Sequence, residues 1–236
     1  RRADRSDGAA LPGYRSTFLL PRAALSWVPR HAVAVYVAHS RGVELGGTAP
    51  ATAANAGRIL DPKRTRQFEA GLRATWPRRI SAAMTLFTLS RPLEFVDAAN
   101  AFVQRGAATH SGAEASGTYS GAGLRLTAAL TLLRARQHGT GEAAFDGRRP
   151  VNVPALSGRV SAASEILPGA WGDVGWRHVS GKSARRDGAA SVPGWHVFDM
   201  GTRLELGGLG LRVRVENILD RRYWKDAGEA FGDGYL

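Results

Sequence analysis

Between Gln67 and Trp76 the chain alternates without a break. Phe68, Ala70, Leu72, Ala74 and Trp76 fall on one side of a two-residue period, and Gln67, Glu69, Gly71, Arg73 and Thr75 on the other. Successive side chains of a strand point to opposite faces, so this pattern is a strand with one apolar and one polar face. Three further segments follow the template. Leu124, Leu126, Ala128, Leu130 and Leu132 alternate with Arg125, Thr127, Ala129 and Thr131. Phe198, Met200, Thr202, Leu204 and Leu206 alternate with Asp199, Gly201, Arg203 and Glu205. Leu209, Leu211, Val213 and Val215 alternate with Gly210, Arg212, Arg214 and Glu216. Each run is eight to ten residues long. Soluble strands average about five or six, whereas a tilted strand needs about 9–11 to cross a bilayer.

Six more segments complete an expected set of ten strands: Phe18–Val28, His31–Ser40, Ile80–Leu89, Phe102–Tyr119, Ala155–Leu167 and Asp173–Val179. His31–Ser40 is apolar on both faces. Ile80–Leu89 shares that ambiguity: its lipid-facing register stays open, and periodicity alone also allows a short buried helix. The connections alternate in length. Short ones are expected at Pro29-Arg30, 77–79, 120–123, 168–170 and Gly207-Gly208, and long ones at about 44–65, 92–101, 134–154, 181–194 and from Asp220 onward. Short turns at one end and long loops at the other are the pattern of an up-and-down membrane barrel. Greek-key sandwiches lack that asymmetry. Gly207-Gly208 suits a type I′ hairpin, because glycine reaches positive φ without strain.

Trp27, Trp76, Tyr119 and Trp171 all fall where a strand meets a short turn, the level at which an interfacial aromatic girdle lies. On this reading the apolar set meets lipid. Glu69, Arg73, Arg125, Arg203, Glu205, Arg212, Arg214 and Glu216 then face a hydrated lumen. A two-residue turn at Gly207-Gly208 sets Arg203 opposite Arg212 and Asp199 opposite Glu216. Like pairs are unfavourable, so they need water or other charged groups beside them.

Composition narrows the function. The chain has no Cys, which removes disulfides, thiolate metal sites and thiol catalysis. No apolar run is long enough for a transmembrane helix. The formal net charge is +12, and 29 of the 32 basic residues are Arg. They are spread from Arg1 to Arg222 rather than clustered, so no nucleic-acid partner is expected. The six His form no metal-ligand pair, and there is no nucleophile elbow or phosphate-binding loop. An enzyme is therefore not expected, and neither is a metal site or a covalent cofactor. Cations and aromatics do meet on the long-loop side: Arg148, Arg149, Lys182, Arg185, Arg186, Trp195, Arg221, Tyr223 and Trp224. Such a surface suits an anionic or π-rich ligand, through charge-assisted hydrogen bonds and cation–π contacts. It equally suits lipopolysaccharide phosphates.

Three motifs, in order, resemble the TonB-dependent siderophore receptors. Leu60-Asp61-Pro62-Lys63-Arg64-Thr65-Arg66-Gln67-Phe68-Glu69-Ala70-Gly71-Leu72-Arg73 is similar to that family's Pro-x-x-(Ser/Thr)-x-Gln-(Tyr/Phe)-Glu-x-Gly-x-(Lys/Arg) segment. Phe102-Val103-Gln104-Arg105-Gly106 followed by His110-Ser111-Gly112-Ala113-Glu114 resembles its Gly-x-x-x-x-x-Gly-x-Glu strand. Val213–Trp224, carrying Val-Glu-Asn-Ile-Leu-Asp-Arg-Arg-Tyr-Trp, resembles the penultimate strand and the loop after it. Val151-Asn152-Val153-Pro154 is similar to the Asn-x-Pro that opens a later strand.

The resemblance spans about residues 12–236. It implies an all-β fold, an antiparallel up-and-down meander of about ten long strands within a transmembrane β-barrel of about 22 strands. No plug, TonB box or closing strand is recognised. Residues 1–236 therefore read as one fragment of the barrel domain, with 1–12 a loop remnant. The implied function is active transport of a ferric siderophore across the Gram-negative outer membrane. The TonB–ExbB–ExbD complex would supply energy through the plug, and outer-membrane lipid and lipopolysaccharide would surround the barrel. The fragment is not expected to be competent alone. Two alternatives stand beside this: a TonB-dependent receptor for haem, cobalamin or a glycan, and a soluble polyanion- or carbohydrate-binding β-sandwich.

Overall fold

The computed structural model describes residues 17–76 and 79–228. The expected loop remnant at 1–12 lies outside them. Ten long strands form one antiparallel sheet: β1 (Arg22–Arg30), β2 (Val33–Glu44), β3 (Lys63–Trp76), β4 (Ile80–Val96), β5 (Phe102–Gly121), β6 (Leu124–His138), β7 (Leu156–Leu167), β8 (Ala170–Val179), β11 (Trp195–Leu206) and β12 (Leu209–Val215). Each pairs only with its sequence neighbours in the sheet, and β1 and β12 each have one neighbour, so the sheet is an open meander. A short hairpin of β9 (Lys182–Ser183) and β10 (Ser191–Val192) sits inside the β8–β11 connection. The alternation gave no sign of it, because its strands are two residues each.

Several boundaries differ from expectation. The first turn falls at 31–32 rather than at Pro29-Arg30. β4 runs 17 residues, to Val96, so the connection expected at 92–101 shrinks to 97–101, while β5 starts at Phe102 as expected. β6 continues past Leu132 to His138 because Arg134 and Arg136 keep the period while pairing with Ser111 and Thr109. Gly207 (φ 53°) and Gly208 (φ 88°) join Leu206 to Leu209 as a two-residue turn.

Register settles the faces. All eight residues assigned to the polar side share one face, joined through rows of directly paired positions such as Glu69–Phe87–Gly112–Leu133 and Arg125–Ala163–Asp173–Gly201–Arg214. The apolar set shares the other. Ile80, Ala82, Met84 and Leu86 join the apolar face through Trp76, Ala74, Leu72 and Ala70. Apolar members such as Phe68 (49%) and Leu130 (43%) stand exposed, and so do the polar members other than Glu69, which is half-buried. A soluble sheet covers its apolar face with a second layer. Trp27, Trp76 and Tyr119 lie on the apolar face at the short-turn end. Trp171 does not: it pairs with Glu165 and Arg203 on the polar face, so the aromatic row has three of the four expected members.

Gly71 shows how closely the polar face is fitted. A Cβ there would lie 2.4 Å from the Tyr36 ring, whose hydroxyl bonds Thr85 Oγ1 at 3.0 Å. The Arg73 guanidinium sits 5.5 Å above the same ring. Gly71→Val is expected to push the ring out and cost about 1–3 kcal/mol of barrel stability by overpacking. Denaturant midpoints check this, and the cost should shrink in a Tyr36→Ala background.

Candidate ligand-binding site

At the long-loop end the sheet carries its own small core. Leu93, Phe95 and Ala108 are buried at the top of the β4–β5 hairpin, with Val103 and Phe145 against them. Loop 45–62 is bonded to this hairpin. Glu94 accepts from the Gly47 amide at 3.0 Å and pairs with Lys63 at 2.9 Å, both side chains being 11% exposed. The Asn55 side chain bonds Phe102 through both its oxygen and its nitrogen, each at 2.8 Å. Loop 139–155 packs from the other side, Phe145 meeting Phe95 edge-on at 5.6 Å.

Arg186, from the β9–β10 hairpin, locks these pieces together. Its guanidinium lies over both Phe95 and Phe145, donates to Glu94 O and Gln137 Oε1 at 3.2 Å each, and its carbonyl accepts from Gln137 Nε2 at 3.1 Å. Lys182 is 5% exposed and its ammonium is held by Asp226 at 2.6 Å and by the Lys225 carbonyl. Trp195 is 8% exposed and stacks on Tyr223 at 4.4 Å. Its indole nitrogen is a buried donor with no partner among the described residues.

The segment after β12 folds back over this end. Asn217, at φ 52°, caps Arg221 by donating to its carbonyl and accepting from its amide, each at 3.0 Å. Ala227 and Asn152 exchange two bonds of 2.7 and 2.8 Å. The Asn-x-x-Asp-Arg string therefore builds a turn, and Tyr223 anchors it. Of the residues expected to meet a ligand, Arg148, Arg185, Arg221 and Trp224 face out, with Arg149 half-buried. Arg185 is partnered by Asp187 at 2.8 Å, and Arg221 lies 3.4 Å from His196.

Below, the polar face holds an ion network. Asp199, 3% exposed, accepts from Arg177 at 3.0 and 3.2 Å and from the Asn217 amide at 2.9 Å. Arg214 lies 3.7 Å from Asp199 and bonds Asp173 at 2.9 Å, across Gly201. A Cβ at Gly201 would sit 2.6 Å from Asp173 Oδ1, so glycine leaves the crossing open. Arg203 does stand opposite Arg212, as the turn requires. Arg203 is compensated on its own strand by Glu205. Asp199, Arg177, Asp173 and Glu94 carry the strongest of these contacts, yet the sequence marked none of them as more than charged positions.

In loop 139–155, Asp146 Oδ1 accepts from the Thr140 amide at 3.0 Å and its hydroxyl at 2.7 Å. These bonds hold the Asp146 carboxyl below the usual aspartate range. A depressed folded value means the turn is stabilised above the ordinary range and loses that support as pH falls through the lowered one. Amide exchange at Thr140 should therefore stay slow down to about pH 4 and quicken only below it. Protection already lost near pH 5 would contradict this.

A meander of long strands with exposed apolar residues on one face, ion pairs on the other and a built-up loop end defines a β-barrel receptor segment. The family model "TonB dependent receptor-like, beta-barrel" matches residues 2–218, and the chain belongs to that family. BauA, the ferric preacinetobactin receptor of Acinetobacter baumannii, is 25% identical, with a TM-score of 0.76 over 92% of this chain and 34% of that one. The ferric yersiniabactin uptake receptor FyuA of Yersinia pestis gives 0.77 at 15% identity, over 90% of this chain and 34% of its own. FpvA of P. aeruginosa, solved with pyoverdine and iron, gives 0.74 at 15% identity, over 92% and 31%. At such identity the last two show the fold alone. The chain spans about a third of the length of these structures. No curated protein sequence matches it.

Proposed function

We propose that the polypeptide containing this chain imports a ferric siderophore across the outer membrane of a Gram-negative bacterium, energised through TonB and its inner-membrane partners. The observation that carries this is the match to BauA over nearly the whole chain, combined with the built loop end. Exposed Arg148, Arg185, Arg221 and Trp224, with Arg149, supply charge-assisted and cation–π contacts to an anionic, π-rich ferric complex. Trp195, Tyr223, Lys182 and Arg186 act behind them, fixing the loops that present those groups. The polar face, with Glu69, Arg73, Arg125, Arg203, Glu205, Arg212, Arg214 and Glu216, lines a hydrated interior, and the apolar face meets lipid.

Deleting the complete gene should abolish growth on ferric siderophore as sole iron source, and complementation should restore it only in a strain with TonB. No iron-dependent phenotype would count against the reading. The reading frame upstream should also encode a signal peptide and plug.

A further inference from the structure

The polar face is not uniform across the sheet. On β8, β11 and β12 it is built of charges that hold one another. Arg177 pairs with Asp199 at 3.0 Å, Arg214 with Asp173 at 2.9 Å and Arg203 with Glu205, and Arg214 also reaches Glu216 at 3.7 Å. On β2 and β3 the face is engaged as well. Arg73 lies over the Tyr36 ring, and Gln67 donates to Glu69 at 3.0 Å.

Between these two regions the polar face of β4, β5 and β6 has another chemistry. Its directly paired rows read Thr85–Glu114–Thr131, Ala83–Ser116–Ala129 and Ser81–Thr118–Thr127, and Ser120 stands opposite Arg125 in the row below. Successive rows on one face are about 7 Å apart. Among the described residues no ion pair falls within these rows. Their two charges, Glu114 and Arg125, lie three rows apart. Thr85 spends its hydroxyl on Tyr36. The side chains of Ser116, Thr118, Thr127 and Thr131 make no hydrogen bond among the described residues. Ser116 is exposed and the three threonines are half-buried, so all four hydroxyls are open to the interior. Higher up, Phe87, Gly112 and Leu133 form an apolar row beneath the loop core.

The two walls suit different tasks. A solute that must keep moving needs contacts that are favourable yet weak and repeated. A hydroxyl both donates and accepts, so it exchanges readily with water and with the polar groups of a passing solute. Guanidinium and carboxylate groups form charge-assisted hydrogen bonds, which are roughly twice as strong and hold what they bind. The strip from β4 to β6 is two strand spacings wide, about 10 Å, and its hydroxyls recur from row to row.

We propose that the solute carried through the interior passes along the wall of β4, β5 and β6. Ser116, Thr118, Thr127 and Thr131 are its successive hydrogen-bond partners, while the ion-paired wall of β8, β11 and β12 stays fixed. The proposal rests on reading the chain as part of a ferric-siderophore importer, and it adds which wall carries the route.

The test uses the complete polypeptide with Ser116→Cys, Thr127→Cys or Gly210→Cys. No native Cys of this segment competes with them. Gly210 lies on the polar face of β12, where an added Cβ has nothing within 4 Å. Each thiol is capped with a bulky methanethiosulfonate. Uptake of iron-55 is then followed as its citrate, tris-catecholate and tris-hydroxamate complexes, using whichever the parent protein imports. Binding of the same complex is measured in de-energised cells. Capping at 116 or 127 should slow uptake about 10-fold, with binding unchanged. A reductant that removes the cap should restore the rate, which shows that the protein stayed folded. Capping at 210 should leave both uptake and binding as they were. Uptake indifferent to the caps at 116 and 127, or slowed equally by the cap at 210, would overturn the route. A parent protein that imports none of the three complexes would count against the importer reading itself, an outcome visible before any cap is added.

Discussion

Leu130→Arg is expected to destabilise the membrane-embedded barrel by about 2–4 kcal/mol, the cost of a lipid-facing arginine near mid-bilayer. Thr131→Arg, one residue further along the same strand, should cost less than about 1 kcal/mol. Leu130 pairs in the row Leu72–Met84–Ala115–Leu130 and lies on β6 four residues from Leu126, which pairs with Tyr119, and four from Arg134, where that face turns polar. It is 43% accessible with no polar group beside it on that face. An arginine there has neither water nor a counter-ion within the apolar band. Thr131 points the other way and stands opposite Glu114, so an arginine at that position gains a carboxylate. Reversible denaturant unfolding in a lipid bilayer gives both values. If the two substitutions cost the same, the two faces do not meet different solvents.

Asp199→Ala is the second large effect. Asp199 is buried, and three groups converge on it: the Arg177 guanidinium, the Asn217 amide and, more distantly, Arg214. Removing one partner of a fully buried pair costs about 3–5 kcal/mol. The Arg177 and Arg214 side chains remain 41% and 38% exposed, and solvent screens what is lost. The expected cost is therefore about 2–3 kcal/mol. Asp199→Asn, which keeps an acceptor for the Asn217 amide, should cost about half as much. The loss should also spread: the capped turn at 217–221 hangs from Asp199, so amide exchange should quicken there before it does in β6. An unaltered exchange pattern at Asn217 would mean that the turn is held from elsewhere.

Where one face of a strand is apolar and the other polar, the sequence shows it directly. Gln67–Trp76 and Leu209–Val215 are found in the structure with every side chain on the expected side. Arg134–His138 was hidden because the pattern changes phase at Leu132-Leu133: Arg134, Arg136 and His138 follow on the face that was apolar, and Leu133 and Ala135 on the one that was polar, while the hydrogen-bond ladder goes on. A register shift between Pro92 and Glu94 likewise conceals the top of β4 and makes the 97–101 connection look longer than it is. Trp171 misled for another reason. A register shift between Glu165 and Leu167 decides which way it points, and strand-end position carries no information about that.

The loop end was legible only as a collection of residue types. Arg186 over Phe95 and Phe145, Lys63 with Glu94, and Asn55 with Phe102 join positions 31 to 91 apart in sequence, and no local pattern encodes such pairings. Cations that read alike in the chain divide in space. Lys182 is buried and bonded, while Arg148 is exposed. The Asn217 motif was recognisable as a string, and the structure supplies its reason: an Asn at positive φ caps the turn and Tyr223 stacks beneath it.

The most direct test of the two-faced barrel is a nitroxide scan along positions 124–136. This segment has no native Cys to compete with the labelling sites. In the complete polypeptide reconstituted into bilayers, collision with oxygen should peak at 126, 128, 130 and 132. Collision with a water-soluble nickel chelate should peak at 127, 129 and 131. At 134 and 136 the even positions should switch from oxygen to the chelate, marking the headgroup level at Arg134 and Arg136. A reversed phase, or no period of two, would contradict the assignment of lipid to one face and water to the other.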